Sequence, residues 1–115
     1  MARVLIVEDE PSIARIIQFK LEREGHRTRW VDRAEAAREE ARRADVVVLD
    51  SGLPEADLPA LVAELGHRAR LLLLLDLHDA GGEDDVLRHG AAAVLHKPFR
   101  PTQLARLVRR LGEAC

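Results

Sequence analysis

The chain has 115 residues, 47% of them hydrophobic and 33% charged, which is the composition of one folded globular domain with one core. The formal net charge of -2, with basic residues spread along the chain, argues against a dedicated nucleic-acid surface. No apolar run approaches the ~20 residues needed to span a bilayer, so no membrane association is expected.

Residues 3–7 form the first apolar run, predicted as a buried strand that ends at Glu8 and Asp9. Pro11 suits the first turn of a helix. Ile13, Ile16, Ile17 and Leu21 give that helix its inner stripe, and Gly25 ends it. In residues 27–31, Thr28 and Trp30 alternate with Arg27 and Arg29, the pattern of an edge strand with one wetter face. Asp32 and Glu35 have capping-box spacing and open a second helix, whose inner face is thin: Ala34, Ala37, Ala41 and Ala44. Residues 45–49 make a third strand that runs into Asp50. Leu58, Leu61, Val62 and Leu65 mark a third helix, ended by Gly66. A strand over 70–75, a short helix over 83–89 and a strand over 91–95 follow, the last leading to Lys97. Leu104, Leu107, Val108 and Leu111 define a fifth helix, with Arg106, Arg109 and Arg110 on its solvated face.

All the strands but the second are apolar on both faces, as in sheets covered by helices on both sides. Strand and helix alternate five times, without repeats, linkers or low-complexity segments. That order predicts one α/β domain over 1–115, with a doubly wound parallel sheet and right-handed crossovers. Such sheets bind ligands at the carboxyl ends of their strands. Here those ends carry Glu8, Asp9, Asp50 and Lys97. Carboxylates crowded together repel and raise one another's pKa values, and a divalent cation relieves the conflict. The set therefore reads as a metal and phosphate site. Glu10 is assigned instead to the N-terminus of the following helix. The five histidines, His26, His67, His78, His89 and His96, lack ligand spacing, so no zinc site is expected. The single cysteine, Cys115, has no internal partner, and a strand-like run follows Met1 at once. Both features point to a cytoplasmic protein without a signal peptide.

Three segments, Leu5-Ile6-Val7-Glu8-Asp9-Glu10-Pro11, Val48-Leu49-Asp50-Ser51-Gly52-Leu53-Pro54 and Lys97-Pro98-Phe99, carry a resemblance. In this order and spacing the chain, from Arg3 to about Leu111, resembles a bacterial response-regulator receiver domain. The resemblance implies a flavodoxin-like five-stranded sheet in the order 2-1-3-4-5. It implies that Asp50 takes a phosphoryl group from a sensor histidine kinase or a phosphotransfer protein, and that Lys97 contacts that group. It implies Mg²⁺ held by Glu8, Asp9, Asp50 and the backbone carbonyl of Gly52, and a cis bond before Pro98. The domain would be no enzyme beyond catalysing its own aspartyl phosphorylation and dephosphorylation. A homodimer through the fourth and fifth helices is a candidate assembly.

The chain departs from this pattern at its switch positions. Leu75 stands where receivers usually carry a hydroxyl, Asp76 where a small residue is usual, Val94 where an aromatic is usual, and Leu58 where glycine is usual. A lost charge-assisted hydrogen bond is worth about 1.5–3 kcal/mol, comparable to the coupling that switches proteins. An alternative reading is therefore a degenerate receiver that binds a partner without phosphorylation. If the strand register shifts by one, the Asp76 carboxylate takes the switch position and pairs with Lys97. In the preferred reading, without the shift, Asp76 faces solvent in the loop Leu77-His78-Asp79. An enzyme on a similar fold ranks lower. The first strand is followed by acids where a flavodoxin has a phosphate loop, and Gly52 stands where an aspartate phosphatase has its second acid.

Overall fold

The structure, a computed structural model, describes residues 1–54, 56–76 and 82–113. Five strands, β1 (Arg3–Val7), β2 (Arg27–Val31), β3 (Val46–Asp50), β4 (Arg70–Leu75) and β5 (Ala93–His96), alternate with α1 (Pro11–Arg23), α2 (Ala34–Glu40), α3 (Leu58–Gly66), α4 (Glu83–His89) and α5 (Pro101–Glu113). A 3₁₀ turn, Ala41–Arg43, extends α2. The sheet is parallel throughout, in the order β2-β1-β3-β4-β5.

Alternation along each strand splits the core into two layers. Leu5, Val7, Val47, Leu49, Leu71, Leu73 and Leu75 face one side, under α2, α3 and α4. Val4, Ile6, Val46, Val48, Leu72 and Leu74 face the other, under α1 and α5. The middle strands are thus apolar on both faces because both faces are covered. β5 departs from that expectation. It is an edge strand, and all four of its residues are only half-buried.

Several boundaries differ from the sequence reading for local reasons. β3 starts at Val46 because Asp45 is diverted. Its carboxylate accepts the Arg3 N–H at 2.8 Å and its own N–H reaches the Arg3 carbonyl. β5 starts at Ala93 because Ala91 closes α4 through Val86, 3.1 Å from its N–H. The Asp32–Glu35 capping box does not form. Arg33 is the extended residue before α2 and no side chain caps it, so Glu35 falls one position short of the third-residue place the motif needs. Asp57, passed over in the sequence, caps α3 instead, its carboxylate accepting the Ala60 N–H at 3.3 Å. On α1, Ile17 and Leu21 are buried as expected, but Ile16 is 54% exposed.

Gly25 ends α1 in the left-handed region, at φ +92°, as predicted. Gly66 serves a different purpose from the one assigned. It is the last residue of α3, and a Cβ there would lie 2.6 Å from the Gly90 carbonyl oxygen. Its missing side chain lets α3 meet the turn between α4 and β5.

Candidate functional site: an acidic crevice with one lysine

Parallel strands place their carboxyl ends along one edge. Asp50 is the last residue of β3, Glu8 and Asp9 follow β1, Asp76 follows β4 and Lys97 follows β5. The crevice floor is buried: Glu8 is 2% exposed and Asp50 3%. Asp9 stands at the exposed rim. Glu8, Asp9 and Asp50 each present a carboxylate oxygen within 4.8 Å of the others. Among the described residues no other such cluster occurs, and none contains a histidine.

Backbone geometry holds the acids. The Gly52 N–H donates to Asp50 Oδ2 at 3.0 Å, and the Glu10 N–H to Glu8 Oε1 at 3.1 Å. The indole Nε1–H of Trp30, on β2, donates to the Glu8 carbonyl at 2.7 Å. The other Glu8 oxygen, Oε2, is buried without a hydrogen-bond partner. Burial, and then the charge of Asp50, push the Glu8 carboxyl up to about 7 from 4.5, against the pull of the Glu10 N–H and Lys97.

Lys97 precedes a cis peptide bond to Pro98, as expected. Its N–H donates to the Leu75 carbonyl at 2.9 Å. The ammonium meets Asp50 Oδ1 directly and Asp76 Oδ1 at 3.6 Å. Burial alone would lower its pKa. The hydrogen bond and charge of Asp50, with smaller help from Asp76 and Glu8, outweigh burial and hold it above the ordinary lysine value.

The preferred reading of Asp76, a solvent-facing side chain, holds in part, since the side chain is 42% exposed but also reaches Lys97. Its carboxylate turns to Lys97 although the register does not shift: Leu75 pairs with His96 and Leu73 with Val94. The loop residues 77–79 lie outside the described residues. The sequence did not flag Ser51. Its Oγ accepts the Asp76 N–H at 3.2 Å, while its own N–H donates to the Leu74 carbonyl at 2.9 Å, so the β3–α3 loop is tied to the end of β4. Leu75 is 1% exposed and lies in the core beside the half-buried Val94. Leu58, at the start of α3, packs against the same core. Arg106, Arg109 and Arg110 are exposed on α5, as expected.

The chain matches the family model of the response regulator receiver domain over residues 4–109. It belongs to the receiver-domain family. Among curated proteins it is similar to the transcriptional regulatory protein CutR of Streptomyces coelicolor, 37% identical over 115 residues, covering 96% of this chain and 53% of CutR. It is 30% identical to the alkaline phosphatase synthesis regulatory protein PhoP of Bacillus subtilis, covering 95% of this chain and 48% of PhoP. The chain therefore spans about half the length of these relatives. Among solved structures, the receiver domain of the Francisella response regulator 1452 matches with a TM-score of 0.89 at 25% identity, covering 99% of this chain and 98% of that one. The receiver domain of sensor histidine kinase PA1611 from Pseudomonas aeruginosa, solved with a magnesium ion in its active-site cleft, matches with a TM-score of 0.83 at 27% identity, covering 97% and 98%. As a receiver domain of two-component response regulators, the chain is a signalling domain and not a classical enzyme. No helix among the described residues is long and apolar enough to cross a membrane.

Proposed function

We propose that this receiver domain is a phosphoacceptor, with Asp50 the nucleophile. An Asp50 carboxylate oxygen attacks the phosphorus of a phosphohistidine on a sensor kinase or phosphotransfer protein. A P–O bond forms, the P–N bond breaks, and the leaving imidazole keeps the electron pair and takes a proton. The product is an aspartyl phosphate. The observation that carries this reading is the position of Asp50: buried at a strand end, one oxygen held by the Gly52 N–H, the other against Lys97. Lys97 would hold the phosphoryl oxygens as charge develops on them.

The donor set fits Mg²⁺, a hard cation that takes oxygen ligands and keeps several waters. Glu8, Asp9 and Asp50 would hold it, with the Gly52 carbonyl, and the unpartnered Glu8 Oε2 supports that fit. The ion in the PA1611 receiver supports the choice of metal. When bound, Mg²⁺ supplies positive charge against the transferring phosphoryl group.

The one-domain reading of residues 1–115, cytoplasmic location and a homodimer through α4 and α5 belong to the same proposal. A second reading, a degenerate receiver that binds a partner without phosphorylation, is favoured by Leu75, which offers no hydroxyl, and by the Asp76 contact to Lys97. The test is incubation with Mg²⁺ and acetyl phosphate, followed by intact-mass measurement. One phosphoryl group gained, and lost in Asp50→Asn, supports the phosphoacceptor. No gain in the native chain overturns it in favour of the second reading.

A further inference from the structure

The crevice holds one acid more than metal binding needs. Asp76 is not one of the three acids, Glu8, Asp9 and Asp50, whose carboxylates cluster within 4.8 Å, and its own carboxylate faces Lys97. Its backbone is fixed by the Ser51 hydroxyl, and Leu75 before it is locked in the core, so the start of this segment is held in place. One Asp76 oxygen is 3.6 Å from Lys97 Nζ, and the other would lie 3.7 Å from a Cβ on Gly52. The carboxylate thus stands beside both groups that bracket the Asp50 side chain, the Lys97 ammonium and residue 52. Its side chain is 42% exposed.

We propose that Asp76 is a built-in anion that competes with the phosphoryl group for Lys97 and so restrains phosphorylation of Asp50. The inference rests on the phosphoacceptor reading and deepens it. The incoming phosphoryl group is anionic and needs the same ammonium. Before transfer, Asp76 shares that ammonium with Asp50. During transfer, its negative charge lies a few ångströms from the developing phosphoryl oxygens. Neither effect requires Asp76 to touch the reacting atoms. It is a rate-setting residue, distinct from the nucleophile and the lysine.

The test compares the native chain with Asp76→Asn, which keeps the size and removes the charge, and with Asp76→Ala, which removes both. Initial labelling by acetyl phosphate is read by intact mass at saturating Mg²⁺. Both variants should label faster, by about five- to tenfold, as expected for removing one charge a few ångströms from an anion at a partly exposed site. The advantage should shrink as salt is raised, because screening weakens the repulsion. A gain in Asp76→Ala alone assigns the effect to size and overturns the proposal, as do equal rates in all three forms with Asp50 still labelled.

Binding of beryllium trifluoride, a stable phosphoryl stand-in, gives a reading independent of the chemical step. Trp30, the single tryptophan, bonds the Glu8 carbonyl and supplies a fluorescence signal at the crevice. Affinity should rise in Asp76→Asn by a similar factor. Unchanged affinity overturns the proposal even if neither form accepts phosphate. Labelling that survives Asp50→Asn overturns the phosphoacceptor reading itself.

Discussion

Glu8→Gln tests the electrostatics of the crevice without any phosphodonor. Glu8 is 2% exposed and its carboxyl sits at about 7 in the fold against 4.5 when solvated. The folded value is the higher one, so the folded state holds its proton more tightly than the unfolded chain. Stability from this group is full below pH 4.5 and is lost as pH rises through about 7. At about 1.36 kcal/mol per pH decade, the interval from 4.5 to about 7 amounts to about 3 kcal/mol at most. Glutamine keeps the shape and does not ionise. In EDTA the native chain should lose up to that amount relative to Glu8→Gln between pH 4.5 and 8. The assay is urea unfolding at a series of pH values, read by Trp30 fluorescence. Mg²⁺ should reverse the order at pH 8, because the ion binds the ionised Glu8 carboxylate, and a neutral glutamine cannot supply that charge. Stability curves that stay parallel for the two forms from pH 4.5 to 8 would refute the argument that burial and Asp50 raise Glu8.

Three further outcomes are expected. Mg²⁺ at ~100 times its Kd should add about 2.7 kcal/mol of stability, raising Tm by degrees, with a smaller rise in Asp9→Asn; a Tm independent of Mg²⁺ counts against the metal site. Gly66→Ala should lower Tm by an amount equivalent to about 1–3 kcal/mol, because a Cβ 2.6 Å from the Gly90 carbonyl forces α3 off the α4–β5 turn. Trp30→Phe removes the 2.7 Å bond to the Glu8 carbonyl and should cost about 1 kcal/mol in chemical unfolding, together with weaker Mg²⁺ binding.

The sheet was legible because its signals are local. Runs such as Val46–Leu49 and Leu71–Leu75 can be satisfied only by a strand covered on both faces, and Gly25 and Pro11 mark helix ends through their own backbone limits. Where two local patterns compete for one residue, the text was less clear. Asp45 continues an apolar run but bonds the Arg3 backbone, which moves the start of β3 by one residue. Asp32 and Glu35 have the right spacing, yet the extended Arg33 moves the helix start and leaves the motif unused. Gly66 was read as a helix stop. Its real constraint comes from Gly90, twenty-four residues away and invisible to any local pattern.

The site divides in the same way. Glu8, Asp9, Asp50 and Lys97 could be gathered from the sequence because a parallel sheet brings its carboxyl ends together whatever the loops do. The direction of Asp76 depends on two contacts across the fold, Ser51 Oγ on its N–H and Lys97 on its carboxylate. Neither follows from spacing. The consequence is electrostatic. Among the described residues the crevice gathers four carboxylates, Glu8, Asp9, Asp50 and Asp76, around one ammonium, Lys97. That excess favours a divalent cation and opposes an anionic phosphoryl donor through the same charge. As proposed, Asp76 would act in opposite senses on a bound cation and on a phosphoryl donor. Its removal should ease phosphoryl entry and weaken the hold on Mg²⁺, which is why saturating metal is the condition under which its effect on transfer can be isolated.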